Sequence, residues 1–120
     1  MNKILTIAGS DPSGGAGIQA DLKAFSALGT YGMSIISALT AQSTQGVDGV
    51  FPIPTDFIKA QYETLYQDIQ PDAVKMGALV NTDIINCVAD LLTAYPIAFV
   101  VLDTVMIAKG GHPLLVAEAV

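Results

Sequence analysis

Four short apolar runs, Lys3–Ala8, Gly32–Thr40, Ala73–Met76 and Ile97–Leu102, alternate with longer segments whose apolar residues recur at helical spacing. No other feature constrains the fold as strongly. A strand that reads as a continuous apolar run is covered on both faces, and strands separated by helices pair in parallel. Between the runs, Ala16–Leu28 sets Ile18, Leu22, Phe25 and Leu28 on one helical face, and Gly29 follows as a stop. Thr55–Ile69 repeats the pattern with Phe57, Ile58, Tyr62, Leu65 and Ile69, and offers Thr55 as its N-cap. A third helix starts at Asn81 or Thr82 and runs through Leu92. Strand, helix, strand, helix, strand, helix, strand predicts an α/β fold, a doubly wound and mostly parallel sheet with helices on both faces. Gly46–Pro54 is expected to be loop, with at most a short edge strand at Val50–Ile53.

At 120 residues the chain is one domain at most. Its 5 basic and 11 acidic residues leave a net charge of -6, which makes nucleic acid and anionic membrane surfaces poor partners. Cys87 is the single cysteine, so no internal disulfide can form, and a reducing, cytoplasmic setting fits. The N-terminus lacks the basic flank and small-residue cleavage site of a signal peptide. The longest apolar stretch, Met33–Ala41, is far too short to span a bilayer. Leu114–Val120 reads as the opening of a helix that meets no stop signal, so the chain is expected to be truncated inside a larger α/β domain.

Ligand sites in parallel sheets collect at the carboxyl ends of the strands. Here those ends are Gly9–Gly17, Thr40–Thr44, Lys75–Val80 and Asp103–Gly111, each a small, polar or charged segment after an apolar run. The richest is the strand–loop–helix stretch Ile4–Asp21, whose glycine loop is expected to aim backbone N–H groups and the positive end of a helix at one point. That suits a small polar or anionic ligand. Gly15-Ala16-Gly17-Ile18-Gln19-Ala20 formally matches a dinucleotide fingerprint, but Ser10–Gly14 intervene after the strand and Ile35–Gln42 holds no acidic residue for a ribose. A nicotinamide cofactor is therefore not expected, and no Gly-Lys-Ser/Thr follows to make a Walker P-loop; the alternative is a structural strand–helix turn.

Several side chains carry two readings. The Gln42 carboxamide presents a donor beside an acceptor, the pattern that reads an amino-substituted nitrogen heterocycle, or it bonds a neighbouring loop. Asp21 faces the ligand or balances the helix N-terminus. Of the strand-end residues Lys75, Asp103 and Lys109, the aspartate could hold a hydrated magnesium ion and a lysine could neutralise phosphate oxygens, or the aspartate and a lysine form a structural ion pair. His112 reads as a solvated loop residue and Cys87 as core rather than nucleophile; nothing suggests a zinc site.

Taken together, Ala8–Lys23 (AGSDPSGGAGIQADLK), Ala38–Val47 (ALTAQSTQGV), Val74–Leu79 (VKMGAL) and Val101–Gly111 (VLDTVMIAKGG) resemble the hydroxymethylpyrimidine/phosphomethylpyrimidine kinases of thiamine biosynthesis, in the ribokinase-like superfamily. The resemblance spans the chain and implies ATP-dependent phosphorylation of 4-amino-5-hydroxymethyl-2-methylpyrimidine and then of its monophosphate, with ATP and Mg2+ as cofactors. It implies that Gln42 reads the pyrimidine edge, and that Gly9, Ala16, Asp21, Thr40 and Val105 line the pocket. Asp103 and Lys109 would lie on the phosphate side, with Asp103 touching magnesium indirectly. Ala78 stands where many relatives carry methionine, which loosens one pocket wall. The family's catalytic base and anion-hole glycines, in a GxGC-type segment, have no counterpart in this chain. The implied protein is a cytoplasmic kinase, a homodimer at full length, of which the chain is the N-terminal part and by itself inactive or nearly so. A pyrimidine-binding module without catalysis, and a kinase of a related substrate such as pyridoxal, are the alternatives.

Overall fold

Apolar residues in Lys3–Gly9 form β1, the strand on which the rest of the sheet is assembled. The computed structural model describes residues 1–103, so the expectations for Val105, Lys109, His112 and the helix from Leu114 lie outside it. After β1 come α1 (Gly17–Ala27), β2 (Tyr31–Ser43), β3 (Gly46–Pro52), α2 (Thr55–Asp68), β4 (Ala73–Met76), α3 (Thr82–Ala94) and β5 (Phe99–Leu102). The strand order among the described residues is β3-β2-β1-β4-β5, with β2, β1, β4 and β5 parallel and β3 antiparallel at one edge. The chain moves from β1 to β2 on one side and returns to β4 on the other, so the order reverses at β1. That is the doubly wound pattern expected from the alternation.

Strand pleating divides the sheet into two chemically different faces. Leu5 and Ile7 of β1, Met33 and Ile35 of β2 and Val74 of β4 join Ile58 and Tyr62 of α2 and Ile84, Val88 and Leu91 of α3 in one core. The opposite face, which α1 covers, carries a polar row: Ser34, Thr6 and Lys75 are cross-strand neighbours in register.

Local signals explain the helix ends. Leu28 caps α1, and the Gly29 N–H to Ser26 C=O and Thr30 N–H to Phe25 C=O bonds, with Gly29 at φ +75°, make a Schellman turn. The Asn81 side chain accepts from the Ile84 N–H at 2.9 Å and caps α3, which runs on to Ala94 rather than stopping at Leu92. Thr55, expected to be a cap, is instead the first helical residue of α2; Pro54 holds the cap position with no side-chain bond.

Four further expectations are corrected. Gly46–Pro52 is a full strand, paired with β2 from Ala38↔Pro52 to Ser43↔Gly46 across the two-residue turn Thr44-Gln45. Leu28 is exposed because it lies past the last helical residue, where the helical period no longer applies. Phe57 is exposed because the buried stripe runs through Ile58 and Tyr62, and Phe57 lies about 100° around the helix from Ile58. The last strand begins at Phe99, and all four residues of β5 are exposed although they are as apolar as β1; β5 is an edge among the described residues.

Side chains complete what the backbone leaves open. The Gln61 carboxamide accepts from the Ile36 N–H and donates to the Ile36 C=O, both at 3.0 Å, at a point where β2 pairs with β1 but the β3 pairing, which starts at Ala38, has not yet begun. Tyr62 and Tyr66 of α2 donate their hydroxyls to the carbonyls of Tyr95 and Pro96, pinning α2 to the segment that leads into β5.

Candidate functional site

The carboxyl ends of β1, β2, β4 and β5 come together at one sheet edge, and the glycine loop Ser10–Ala16 lies across it between β1 and α1. The loop is shaped by a residue that the sequence did not single out. Asp11 is 3% exposed. Its Oδ1 accepts from the Ser13 N–H (2.9 Å) and hydroxyl (2.7 Å), and its Oδ2 from the N–H groups of Gly15 (3.0 Å) and Ala16 (2.8 Å). The N–H groups that the loop turns inward are therefore taken by the chain's own carboxylate. Burial pushes the Asp11 carboxyl upward, but the bonds from Ser13, Ala16 and Gly15 outweigh it and hold the group below its usual value.

That depressed value carries a sign. The Asp11 carboxylate adds stability that is present above its unfolded pKa, about 3.9, and is lost as pH falls through the lower folded value. Asp11→Asn should melt below the parent at neutral pH, and the gap should close on acidification. Melting curves across the acid range check this; a gap independent of pH would show that the charge is not what stabilises the loop.

Two close approaches surround the end of β1, one at the start of α1 and one just past β4. Gly17 opens α1 at φ +59°, and a Cβ there would stand 2.3 Å from the Gly9 carbonyl oxygen. Gly77 donates its N–H to the Ile7 carbonyl at 2.9 Å, and a Cβ on it would meet the Ala8 Cβ at 2.8 Å. Gly9 itself sits beside Ala38, at the irregular step in the β1–β2 register.

Thr40 and Gln42, near the end of β2, face this loop. The Thr40 hydroxyl donates to the Ser10 carbonyl at 2.6 Å, and the Gln42 Oε1 lies 3.1 Å from the same hydroxyl. A hydroxyl has one proton, and the shorter contact takes it; rotating the carboxamide by 180° turns the longer contact into a bond donated by Gln42. Gln42 thus touches its own strand rather than a neighbouring loop, and is half-buried at the sheet edge.

Asp21 lies beyond the first turn of α1, so it does not balance the helix N-terminus. It is buried on α1, accepts from the Thr6 hydroxyl at 2.6 Å, and pairs with the Lys75 Nζ at 2.7 Å. Lys75 also lies 3.5 Å from Asp103 Oδ2, so the lysine that pairs with Asp103 is Lys75, as the longer arm of a chain Thr6–Asp21–Lys75–Asp103. Lys75 is engaged by carboxylates on two sides and is not a free cation for phosphate. Ala78 follows Gly77 past the end of β4 and is half-buried at the same edge. Cys87 packs against the core on α3, with its thiol pKa raised by burial and by Asp90, as expected of a residue that is not a nucleophile. Among the described residues no three His, Cys, Asp or Glu side chains converge to hold a metal ion. No helix among them is long and apolar enough to cross a membrane. An open cleft lined by Met1, Lys3, Tyr31, Gln67, Asp68, Ile69 and Gln70 lies at the amino ends of β1 and β2, away from the edge where such sheets bind ligands.

Residues 11–120 match the family model described as phosphomethylpyrimidine kinase. A hydroxymethylpyrimidine/phosphomethylpyrimidine kinase of Escherichia coli is 59% identical over 116 residues, covering 97% of this chain and 44% of that protein. The crystal structure of a phosphomethylpyrimidine kinase from Clostridium difficile superposes with a TM-score of 0.90 at 52% identity, covering 99% of this chain and 52% of that one. A pyridoxal kinase from Staphylococcus aureus in complex with ADP superposes with a TM-score of 0.79 at 41% identity, over 93% of this chain and 41% of that one. The chain spans about half the length of the relatives it matches, or less.

Proposed function

This chain belongs to the phosphomethylpyrimidine kinase family, and from that premise we propose that it forms the pyrimidine-binding, N-terminal part of a ribokinase-like kinase domain. The whole protein would transfer the γ-phosphoryl of ATP to 4-amino-5-hydroxymethyl-2-methylpyrimidine, and then to the monophosphate, in thiamine biosynthesis. The observation that supports this reading is that Gly9, Thr40 and Gln42 lie near the carboxyl ends of β1 and β2, with Ala16 and Ala78 in the segments that follow β1 and β4, at the end of the sheet that also carries the Asp21–Lys75–Asp103 chain. Gln42 would read the amino and ring-nitrogen edge, Gly9, Ala16 and Thr40 would form the wall, and Asp21 would act through its bonds to Thr6 and Lys75. Val105 would line the pocket with them, and Asp103 and Lys109 would lie on the phosphate side.

Magnesium keeps most of its waters and is held through one or two carboxylates and the substrate phosphates. A single carboxylate at the strand end, Asp103, fits such an outer contact. When bound, the ion would neutralise charge on the ATP phosphates. What these residues supply is positioning, the larger share of catalysis in phosphoryl transfer. We propose a cytoplasmic protein that is a homodimer at full length, with the 120-residue chain alone unable to turn over ATP because the family's base and anion-hole segment has no counterpart in it.

A pyridoxal-type substrate is the second reading, favoured by the superposition on pyridoxal kinase. Thermal melts decide between them. Hydroxymethylpyrimidine should raise the transition, by about 2.7 kcal/mol of stabilisation at a ligand concentration one hundred times Kd. Gln42→Ala should abolish the rise and leave the ligand-free melt unchanged. A larger shift with pyridoxal would reverse the assignment, and pyrimidine-dependent release of ADP by this chain would refute its proposed inactivity.

A further inference from the structure

Asp11 uses both carboxylate oxygens on donors of its own loop, and its main chain is tied down as well. Its N–H donates to Gln19 Oε1 at 2.7 Å, and its carbonyl accepts from Gly14 at 3.0 Å. Gln19 Nε2 in turn donates to the Ser10 hydroxyl at 2.8 Å, joining the first turn of α1 to the end of β1. Ala16, the N-cap residue of α1, has no side-chain cap, but its own N–H, one of the orphan donors of the helix start, is taken by the Asp11 carboxylate five residues upstream. The nearby cation, Lys23 on α1, donates to the Gly14 carbonyl at 3.0 Å rather than to this carboxylate.

We propose that Asp11 is a positioning residue, an internal anion that fixes the glycine loop as the wall of the pyrimidine pocket and fills the place where its N–H groups would otherwise take a phosphate. The identity of the ligand rests on the kinase reading above; the state of the loop does not. The loop then meets substrate through the Ala16 side of a rigid surface, and the N–H groups of Ser13, Gly15 and Ala16 are withheld from any phosphoryl group.

Asp11→Ala vacates the anion position, so a small carboxylate should substitute for the missing one. In this chain, pyrimidine affinity by calorimetry, measured below both melting transitions, should fall at least about tenfold, as expected on losing a charged acceptor of four bonds. Sodium formate should restore both the melt and the affinity of Asp11→Ala. Sodium chloride at equal ionic strength should not, and the parent should be indifferent to formate. Asp11→Asn keeps the shape but turns an NH2 group against loop N–H donors; it should bind weakly and gain nothing from formate. Parent-like affinity in Asp11→Ala, or equal effects of formate and chloride, would overturn the proposal. If Asp11→Ala does not fold, parent-like affinity in Asp11→Asn overturns it instead. If the parent binds no pyrimidine, the kinase reading of this chain fails, whereas recovery of the Asp11→Ala melt by formate still decides the role of Asp11.

Discussion

Gly17→Ala should destabilise the chain by about 2–5 kcal/mol, the sum of about 1–2 for forcing a side chain into the left-handed region and about 1–3 for overpacking. The position combines φ +59° with a Cβ 2.3 Å from a main-chain oxygen, that of Gly9, which cannot rotate away. Relief would require α1 to lift from the end of β1, and the Asp11 bonds to Gly15 and Ala16 resist that movement. Gly29 is the control. It has φ +75° but nothing within 4 Å of a Cβ, so Gly29→Ala should lose only the conformational part, about 1–2 kcal/mol. Urea midpoints of the two variants test the difference. Equal losses would mean that the Gly9 contact relaxes freely and that the loop is not clamped to the sheet.

The alternation of apolar runs and helical periods was enough to read the order of elements and the doubly wound arrangement. Buried strands and amphipathic helices follow from local patterns, and Ala73–Met76 matches β4 residue for residue. What stayed hidden depended on pairings far apart in the chain. β3 was read as loop because Gly49 and Pro52 weaken its strand character and the Thr44-Gln45 turn lacks the Asn-Gly or Asp-Gly signature of a tight hairpin. The exposure of β5 depends on its place at the edge of the described sheet, which its own apolar residues do not encode. At the site, Lys75, Asp103 and Lys109 all read as strand-end residues, and nothing local chooses a partner among them. The register sets Lys75 beside Thr6, on the face that α1 covers, and Asp21 is the nearer carboxylate. Asp11 did leave a sequence signal: an aspartate two residues before Ser13 forms an Asx-type turn, and the glycines after it bring two more N–H groups within reach. Reading the loop as an open anion site left its own anion out of account.

Lys75→Met is expected to cost about 2–4 kcal/mol, somewhat below the loss typical of breaking a fully buried pair. The discount follows from partial exposure, 28% for the Lys75 side chain and 12% for that of Asp21. Removing the ammonium leaves the Asp21 carboxylate buried under α1 with the Thr6 hydroxyl bond, and it frees Asp103 from its 3.5 Å contact. Asp21→Asn should cost less, because a carboxamide oxygen still accepts from Thr6 and no buried charge is left unpaired. The double variant should then be more stable than the sum of the two losses predicts, with a coupling of about 1–3 kcal/mol. A single-variant cost under about 0.5 kcal/mol would instead class the contact with surface pairs, which contribute little. The distinction bears on function. Lys75 joins α1, whose first turn carries the glycine loop, to Asp103 at the end of β5, so one side chain holds the pyrimidine wall and the proposed phosphate side in a fixed relation. If the coupling is as large as expected, Lys75→Met should weaken pyrimidine binding although Lys75 touches no part of the pocket wall. If binding is unchanged in a destabilised Lys75→Met, the ion-pair chain serves the fold alone.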